Sequence, residues 1–230
     1  MALETEHSVS ERLWRISNLY LIRDKERRLR KLKLNPAQEL LWKSVSESLL
    51  AGKPIRHMDL KARQVGVSTF WLVYYLDDTI FTPNTITFIM AQKQETLGLL
   101  WDAVRLAYNN LPDQLKPTTR EDSTRALSFE VNNSTLKVSL SVKSTTVHNL
   151  HVSEYALCDP DEIEQTLAAC PPNANVTLET VADGVNHAYD KWMEAGDGYA
   201  RIFHPLYRQP EYWLDPPPGL APTDAELKFI

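Results

Sequence analysis

From residue 57 onward the chain switches between short apolar runs and longer stretches of helical period, and this rhythm restricts the fold more than any other feature. Strands are expected at 57–62, 86–91 (ITFIMA), 127–131, 135–142 (TLKVSLSV), 147–152 (VHNLHV) and 175–180 (NVTLET). Helices are expected over roughly 67–80, 92–110, 161–170 and 185–195. Strand and helix in turn imply crossovers, hence an α/β fold with a mostly parallel, doubly wound sheet flanked by helices, whose ligands sit at the carboxyl ends of the strands. Ahead of it, LNPAQELLWKSVSESLLAG reads as a helix with Asn35 at the N-cap, Pro36 in the first turn and Gly52 at the end. Helical patterning is also expected from about 9 to 33, with Leu13, Ile16, Leu29 and Leu32 on its apolar side. Past residue 200 the prolines thicken (Pro205, Pro210, Pro216, Pro217, Pro218, Pro222), which suggests an extended subdomain. Three regions are therefore expected: an N-terminal helical segment 1–33, a core 34–199 and a small lid or linker 200–230.

At 230 residues and 43% hydrophobic, the chain can bury one sizeable core with a small appendage. No apolar run approaches the ~20 residues of a membrane span, and MALETEHSVS lacks the basic-then-apolar order of a signal peptide, so a cytoplasmic protein is expected. Cys158 and Cys170 are too few and too far apart for a metal knuckle and are expected as buried thiols. The net charge of −5 argues against nonspecific coating of nucleic acid, which needs a surplus of Lys and Arg. A local basic stripe remains open in RDKERRLRKLK, residues 23–33, with seven basic and two acidic residues. It is either a solvated helix face or a contact for DNA or a protein neighbour.

KARQVGVST, residues 61–69, follows the first strand of the series and opens its helix. Against the phosphate-loop pattern GxxxxGK[ST], residues 61–68 match only at Gly66 and Ser68; Val67 stands in the lysine's place. The glycine lets backbone N–H groups curl around phosphate at a helix N-terminus, and a hydroxyl there can sit on Mg²⁺. Lys61 and Arg63, at the mouth of the same loop, can supply the missing cation. Two other segments bear on the same chemistry. The amide of Gln38 offers the donor and acceptor that an adenine edge requires. In HNLHVSEYALCD, an apolar strand ending at Glu154 can place a carboxylate to polarise the attacking water. Ser153 stands where an Asp for Mg²⁺ is usual.

A loop of the form KxRQxGxST, a strand reading LHVSE and the later ETVADGVNHAYDKW together resemble the ATPase domain of a tailed-phage large terminase subunit, over about residues 34–215. The resemblance implies a P-loop NTPase core of the ASCE or RecA-like kind, with ATP and Mg²⁺ as cofactors. It implies hydrolysis coupled to translocation of double-stranded DNA into a procapsid. Implied partners are the portal protein, a small terminase subunit and further copies in a ring, in the host cytoplasm; a nuclease domain is expected beyond residue 230. Carried over by position, Gln38 is similar to the adenine-contacting glutamine, Lys61 to a displaced loop lysine and Arg63 to the loop arginine. Gln64, Val65, Gly66, Val67, Ser68 and Thr69 complete the phosphate cradle. Glu154 resembles the catalytic carboxylate, with Ser153 beside it at the metal position. Thr180, Asp183 and Gly184 resemble the coupling motif, although Val181 and Asp183 stand where a hydroxyl and an Asn are frequent. Lys143, in VKSTT, replaces an arginine thought to act on a neighbouring subunit's ATP. Two other readings are a superfamily 2 helicase-like translocase and a nucleotide-binding assembly adaptor without turnover.

Overall fold

The computed structural model describes residues 11–194 and 198–215, together with Gly196, Gly219 and Thr223. Pro216, Pro217, Pro218 and Pro222, and the start of the expected first helix, lie outside the described residues. In chain order, a helix over residues 11–18 (α1) leads to β1 (Leu21–Arg23), β2 (Leu29–Lys31), α2 (Pro36–Leu50), β3 (Arg56–Lys61), α3 (Val67–Phe81) and β4 (Ile86–Met90). Then come α4 (Gln94–Asn109), β5 (Thr119–Asp122), β6 (Ala126–Phe129), β7 (Thr135–Ser139), β8 (Asn149–Ser153), α5 (Pro160–Ala168), β9 (Asn175–Thr180), α6 (His187–Met193) and β10 (Ala200–His204).

Eight of these strands form one sheet in the order β10-β3-β9-β8-β4-β7-β6-β5, and every pairing from β10 to β7 is parallel. The expected α/β architecture is therefore present. Its antiparallel margin, β7-β6-β5, includes a strand that the charged sequence TRED did not announce. The expected boundary after residue 199 falls just before β10, which pairs with β3 inside the sheet. His204 of β10 lies 3.2 Å from buried Asp59 of β3, so β10 belongs to the core layer, and Gln209 and Tyr212 in the turns that follow pack against the body as well.

Both faces of the sheet are covered. Met58, Met90, Leu150, Val152, Val176 and Leu178 pack with Ile163 of α5 and Ala188 of α6. The opposite face meets α3, which is buried nearly all round and so forms a core helix. Its Asp77 and Asp78 are buried too, which is tolerable only with partners. Arg15 grips Asp77 with two bonds of 2.9 and 2.8 Å, Arg12 meets Asp78 at 2.7 Å, and the Tyr20 hydroxyl donates to Asp77 at 2.9 Å. These contacts fix α1 to the core.

The helix expected to run to residue 33 stops at 18, and β1 and β2 form a hairpin instead. No Gly or Pro marks the turn. Asp24 closes it, accepting from the Arg28 N–H at 2.8 Å through its carboxylate, and Arg27 takes the left-handed conformation with φ 65°. The basic stripe is thus a hairpin, and Leu29, assigned to an apolar helix face, is exposed. No helix among the described residues is long and apolar enough to cross a membrane. Cys158 is a buried free thiol and Cys170 a half-buried one.

Candidate nucleotide site

The loop begins where β3 ends, at Lys61, and closes at Gly66, the N-cap of α3 in the left-handed conformation with φ 81°. Gln64 is also left-handed, at φ 59°. Two positive φ values two residues apart fold the backbone into a cradle at the N-terminus of a helix, the place where anions are held. The amide of Gln38 donates to Gly66 O at 2.8 Å and that of Asn35 to Val65 O at 3.1 Å, so α2 buttresses the cradle from behind. A Cβ on residue 66 would come within 2.8 Å of Gln38 Nε2. A side chain there would be strained by φ and would displace the Gln38 and Asn35 amides that buttress the loop.

The structure gives Gln38 a supporting role besides the one expected for it. Its Oε1 accepts from Asn35 N at 3.1 Å, completing a capping box, while its Nε2 is taken by Gly66 O. Both ends of the amide thus have a partner within the protein, and Gln38 also lines the cleft in front of the loop.

The displaced lysine reaches the helix start. Lys61 Nζ donates to Ser68 Oγ at 3.2 Å, whereas Val67 is buried in the core. Lys61 Nζ also lies 3.8 Å from Oε2 of Glu179, a fully buried carboxylate at the end of β9. Burial would raise the Glu179 carboxyl, but the Lys61 charge and the contact with His151 outweigh it and hold it down at about 2. Ser153, expected as a metal ligand, donates its hydroxyl to Glu179 at 2.8 Å and so acts first as a support for that carboxylate. Glu179 was absent from the expected site. The available signal was the one charged residue in the alternating run NVTLET.

Glu154, one residue past β8, sits in the left-handed region at φ 56°, a conformation that non-glycine residues adopt mostly where the surroundings impose it. Gln92, just past the neighbouring β4, donates to Glu154 Oε2 at 2.7 Å. Sequence reasoning also missed Gln92, since a polar residue after a strand has no distinctive signature. Thr180 is buried, its hydroxyl accepting from Ala156 N at 3.2 Å, which ties the β9 end to the turn after Glu154. Asp183 and Gly184 lie exposed on the following loop, Gly184 at φ 72°.

The remaining cations are separate. Arg63 is exposed, and its guanidinium makes no hydrogen bond or ion pair among the described residues. Lys143 was expected on a strand; β7 ends at Ser139, and Lys143 is exposed on the loop beyond it with a surface pair to Glu162 at 3.2 Å.

In front of the loop lies an open cleft of about 670 Å³, walled by Lys61, Gln64, Gly66, Ser68 and Thr69, by the hairpin residues Arg23, Lys25 and Arg30, and by Gln209 and Glu211. That volume suits a small-molecule ligand. Lys25 links the hairpin to the opposite wall, pairing with Glu211 at 2.7 Å and lying 4.2 Å from the Tyr212 ring centre; the Tyr212 hydroxyl in turn donates to Gln64 O at 3.2 Å.

No protein-family model and no curated protein sequence matches the chain. Solved structures do. The large terminase of bacteriophage HK97 superposes with a TM-score of 0.60 at 15% identity, over 75% of this chain and 37% of the terminase. The large terminase ATPase domain of Thermus phage P74-26 gives 0.57 at 13% identity, over 75% of this chain and 81% of the domain. The large terminase of the thermophilic bacteriophage D6E, in complex with ATP-gamma-S, gives 0.53 at 15% identity, over 78% of this chain and 46% of the terminase. The fold is that of a terminase ATPase domain. The chain spans less than half of the HK97 and D6E terminases and most of the isolated P74-26 domain.

Proposed function

We propose that this chain is the ATPase engine of a viral DNA-packaging terminase, hydrolysing ATP to drive double-stranded DNA through a portal into a procapsid. The observation that carries the reading is the 3.2 Å contact of Lys61 with Ser68 across the glycine-closed cradle. That contact supports a lysine from the start of the loop as the phosphate lysine. The portal, a small terminase subunit and a ring of further copies are the partners this reading brings with it, and the host cytoplasm is its setting.

Phosphoryl transfer demands positioned cations and an oriented water more than covalent chemistry. The N–H groups at the start of α3 receive the phosphates, Lys61 and Arg63 offset their charge, and Glu154 takes the proton of the attacking water. The Ser68 hydroxyl is a hard oxygen suited to Mg²⁺. When bound, the metal neutralises charge on the β and γ phosphates. Exposed Lys143 is held by a surface ion pair, a contact worth about 0–1 kcal/mol, which leaves it able to serve a neighbouring subunit's site.

The test is ATP turnover with Mg²⁺ by the wild-type chain and by Glu154→Gln, with nucleotide affinity measured alongside. Turnover abolished and affinity retained in the variant is the expected result. Absence of nucleotide binding by the wild-type chain would overturn the reading. Binding without turnover by the wild type would favour the assembly adaptor. For Lys143, equimolar mixtures of Lys143→Ala and Glu154→Ala subunits on procapsids should regain turnover that neither has alone.

A further inference from the structure

Glu179 has no part in the mechanism as the sequence announces it, yet it lies buried directly beside Lys61 of the phosphate loop. Strand β9 lies between β3 and β8, and its register sets Glu179 opposite Asp59 on one side and Ser153 on the other. Its Oε1 accepts from Ser153 Oγ at 2.8 Å and lies 3.7 Å from His151 Nε2. Its Oε2 is buried, accepts no hydrogen bond and faces Lys61 Nζ at 3.8 Å, while that same Nζ donates to Ser68 Oγ at 3.2 Å. A buried polar atom left unpaired costs about 1–3 kcal/mol, and more when charged. The Lys61 charge offsets the burial of this carboxylate, but Oε2 still lacks a hydrogen-bond donor and is open to a further ligand beside the phosphate loop.

The chemistry of that ligand follows from its neighbours. Mg²⁺ binds hard oxygens, commonly one or two carboxylates together with phosphate oxygens. Residue 153, at the end of β8, would be the local source of a carboxylate and is a serine. Its hydroxyl instead holds the carboxylate that arrives from β9.

We propose that Glu179 supplies the carboxylate missing from residue 153 and, with Ser68, holds the Mg²⁺ that accompanies ATP, Ser153 being its positioning residue. The inference rests on the nucleotide-site reading above. The depressed carboxyl of Glu179 keeps it ionised at neutral pH, as a metal ligand must be. The rival reading makes Glu179 only the structural counter-ion of Lys61.

The experiment is a titration of a fluorescent, non-hydrolysable ATP analogue into wild type, Glu179→Gln, Glu179→Asp and Ser153→Asp/Glu179→Gln, in EDTA and across a Mg²⁺ series. The wild type should bind in EDTA and more tightly as Mg²⁺ is added. Glu179→Gln should keep its EDTA affinity within a few-fold while needing about tenfold or more Mg²⁺ for the same tightening. The double variant, with a carboxylate back at 153, should recover the wild-type Mg²⁺ requirement. Should the Gln variant fail to fold, Glu179→Asp keeps the buried charge but withdraws the carboxylate by one methylene, and it should raise the Mg²⁺ requirement alone. An unchanged Mg²⁺ requirement in the variants overturns the assignment. So does an equal loss of affinity with and without Mg²⁺, which would make Glu179 the counter-ion of Lys61. A wild type that binds no analogue would remove the nucleotide site itself, a result distinct from either.

Discussion

Along the central strands the two buried faces of the sheet differ in chemistry. Toward α5 and α6 the central strands present Met58, Phe88, Met90, Leu150, Val152, Val176 and Leu178. Toward α3 the same strands present His57, Asp59, Thr87, Asn149, His151, Thr177 and Glu179, all buried. The first face needs only volume, because the hydrophobic effect has no direction. The second works only if each polar atom finds a partner at the right angle. Asn149 donates to Asp78 of α3 at 2.6 Å, Trp71 of α3 donates to Asp59 at 2.8 Å, and His151 meets Thr177 at 2.9 Å. That directional face runs to the carboxyl end of the sheet and ends in Glu179, Ser153 and Lys61. The α5–α6 side is packed by apolar contact, and the polar strand residues on the α3 side aim the site.

The sharpest way to break this division is at the reacting end. Glu154→Gln should lower the ATP hydrolysis rate over a hundredfold, a loss of roughly 3 kcal/mol or more, with no change in melting temperature. Lys61→Ala should weaken nucleotide binding or turnover severely. On the other face, Leu150→Ala should cost about 2–5 kcal/mol in denaturant unfolding while leaving nucleotide affinity of the folded protein unchanged. A comparable loss of affinity in Leu150→Ala would show that the two faces are not separable.

Acid titration sharpens the comparison further. The Glu179 carboxyl is held below its ordinary 4.5, at about 2, so its contribution to stability is complete above the ordinary value and disappears as pH falls through the lower one. Glu179→Gln should therefore flatten the acid limb of stability within that window, whereas Leu150→Ala should shift the whole curve and keep its shape. The smallest effect is expected at Val67→Ala. Loss of buried methyls costs stability, and nucleotide affinity should stay within a few-fold, since Lys61 and not residue 67 reaches Ser68.

What the sequence made legible followed the same division. Local signals worked: Asn35, Pro36, Gly66 and the strand runs specify caps, a cradle and a sheet within a few residues of themselves. The alternation of the two faces is written in NLHVS, where Leu150 and Val152 separate Asn149, His151 and Ser153. Its meaning is not, because the partner of Asn149 is 71 residues away and that of Ser153 is 26 residues away. Gln92 and Glu179 went unnoticed for this reason: each becomes informative only when a distant strand is laid beside it. Gln38 shows the converse. A residue with a recognisable motif role is occupied by a capping box and by the loop 28 residues on. The hairpin at 21–31 was lost because a charged turn closed by Asp24 leaves the same composition as a solvated helix, and β10 because nearby prolines pointed to a linker.

The margin of the sheet has its own consequence. Strand β5, the outermost, is four residues long, reads TRED and is largely exposed; its register with β6 slips between Thr119 and Glu121, and Asp122 is engaged by Arg105 of α4. Unpaired backbone along a flat, apolar edge invites the edge of another molecule, and short, irregular, charged strands are how natural sheets refuse it. Along this edge, copies of the protein held at high local concentration can therefore meet through side-chain surfaces without strand-to-strand pairing.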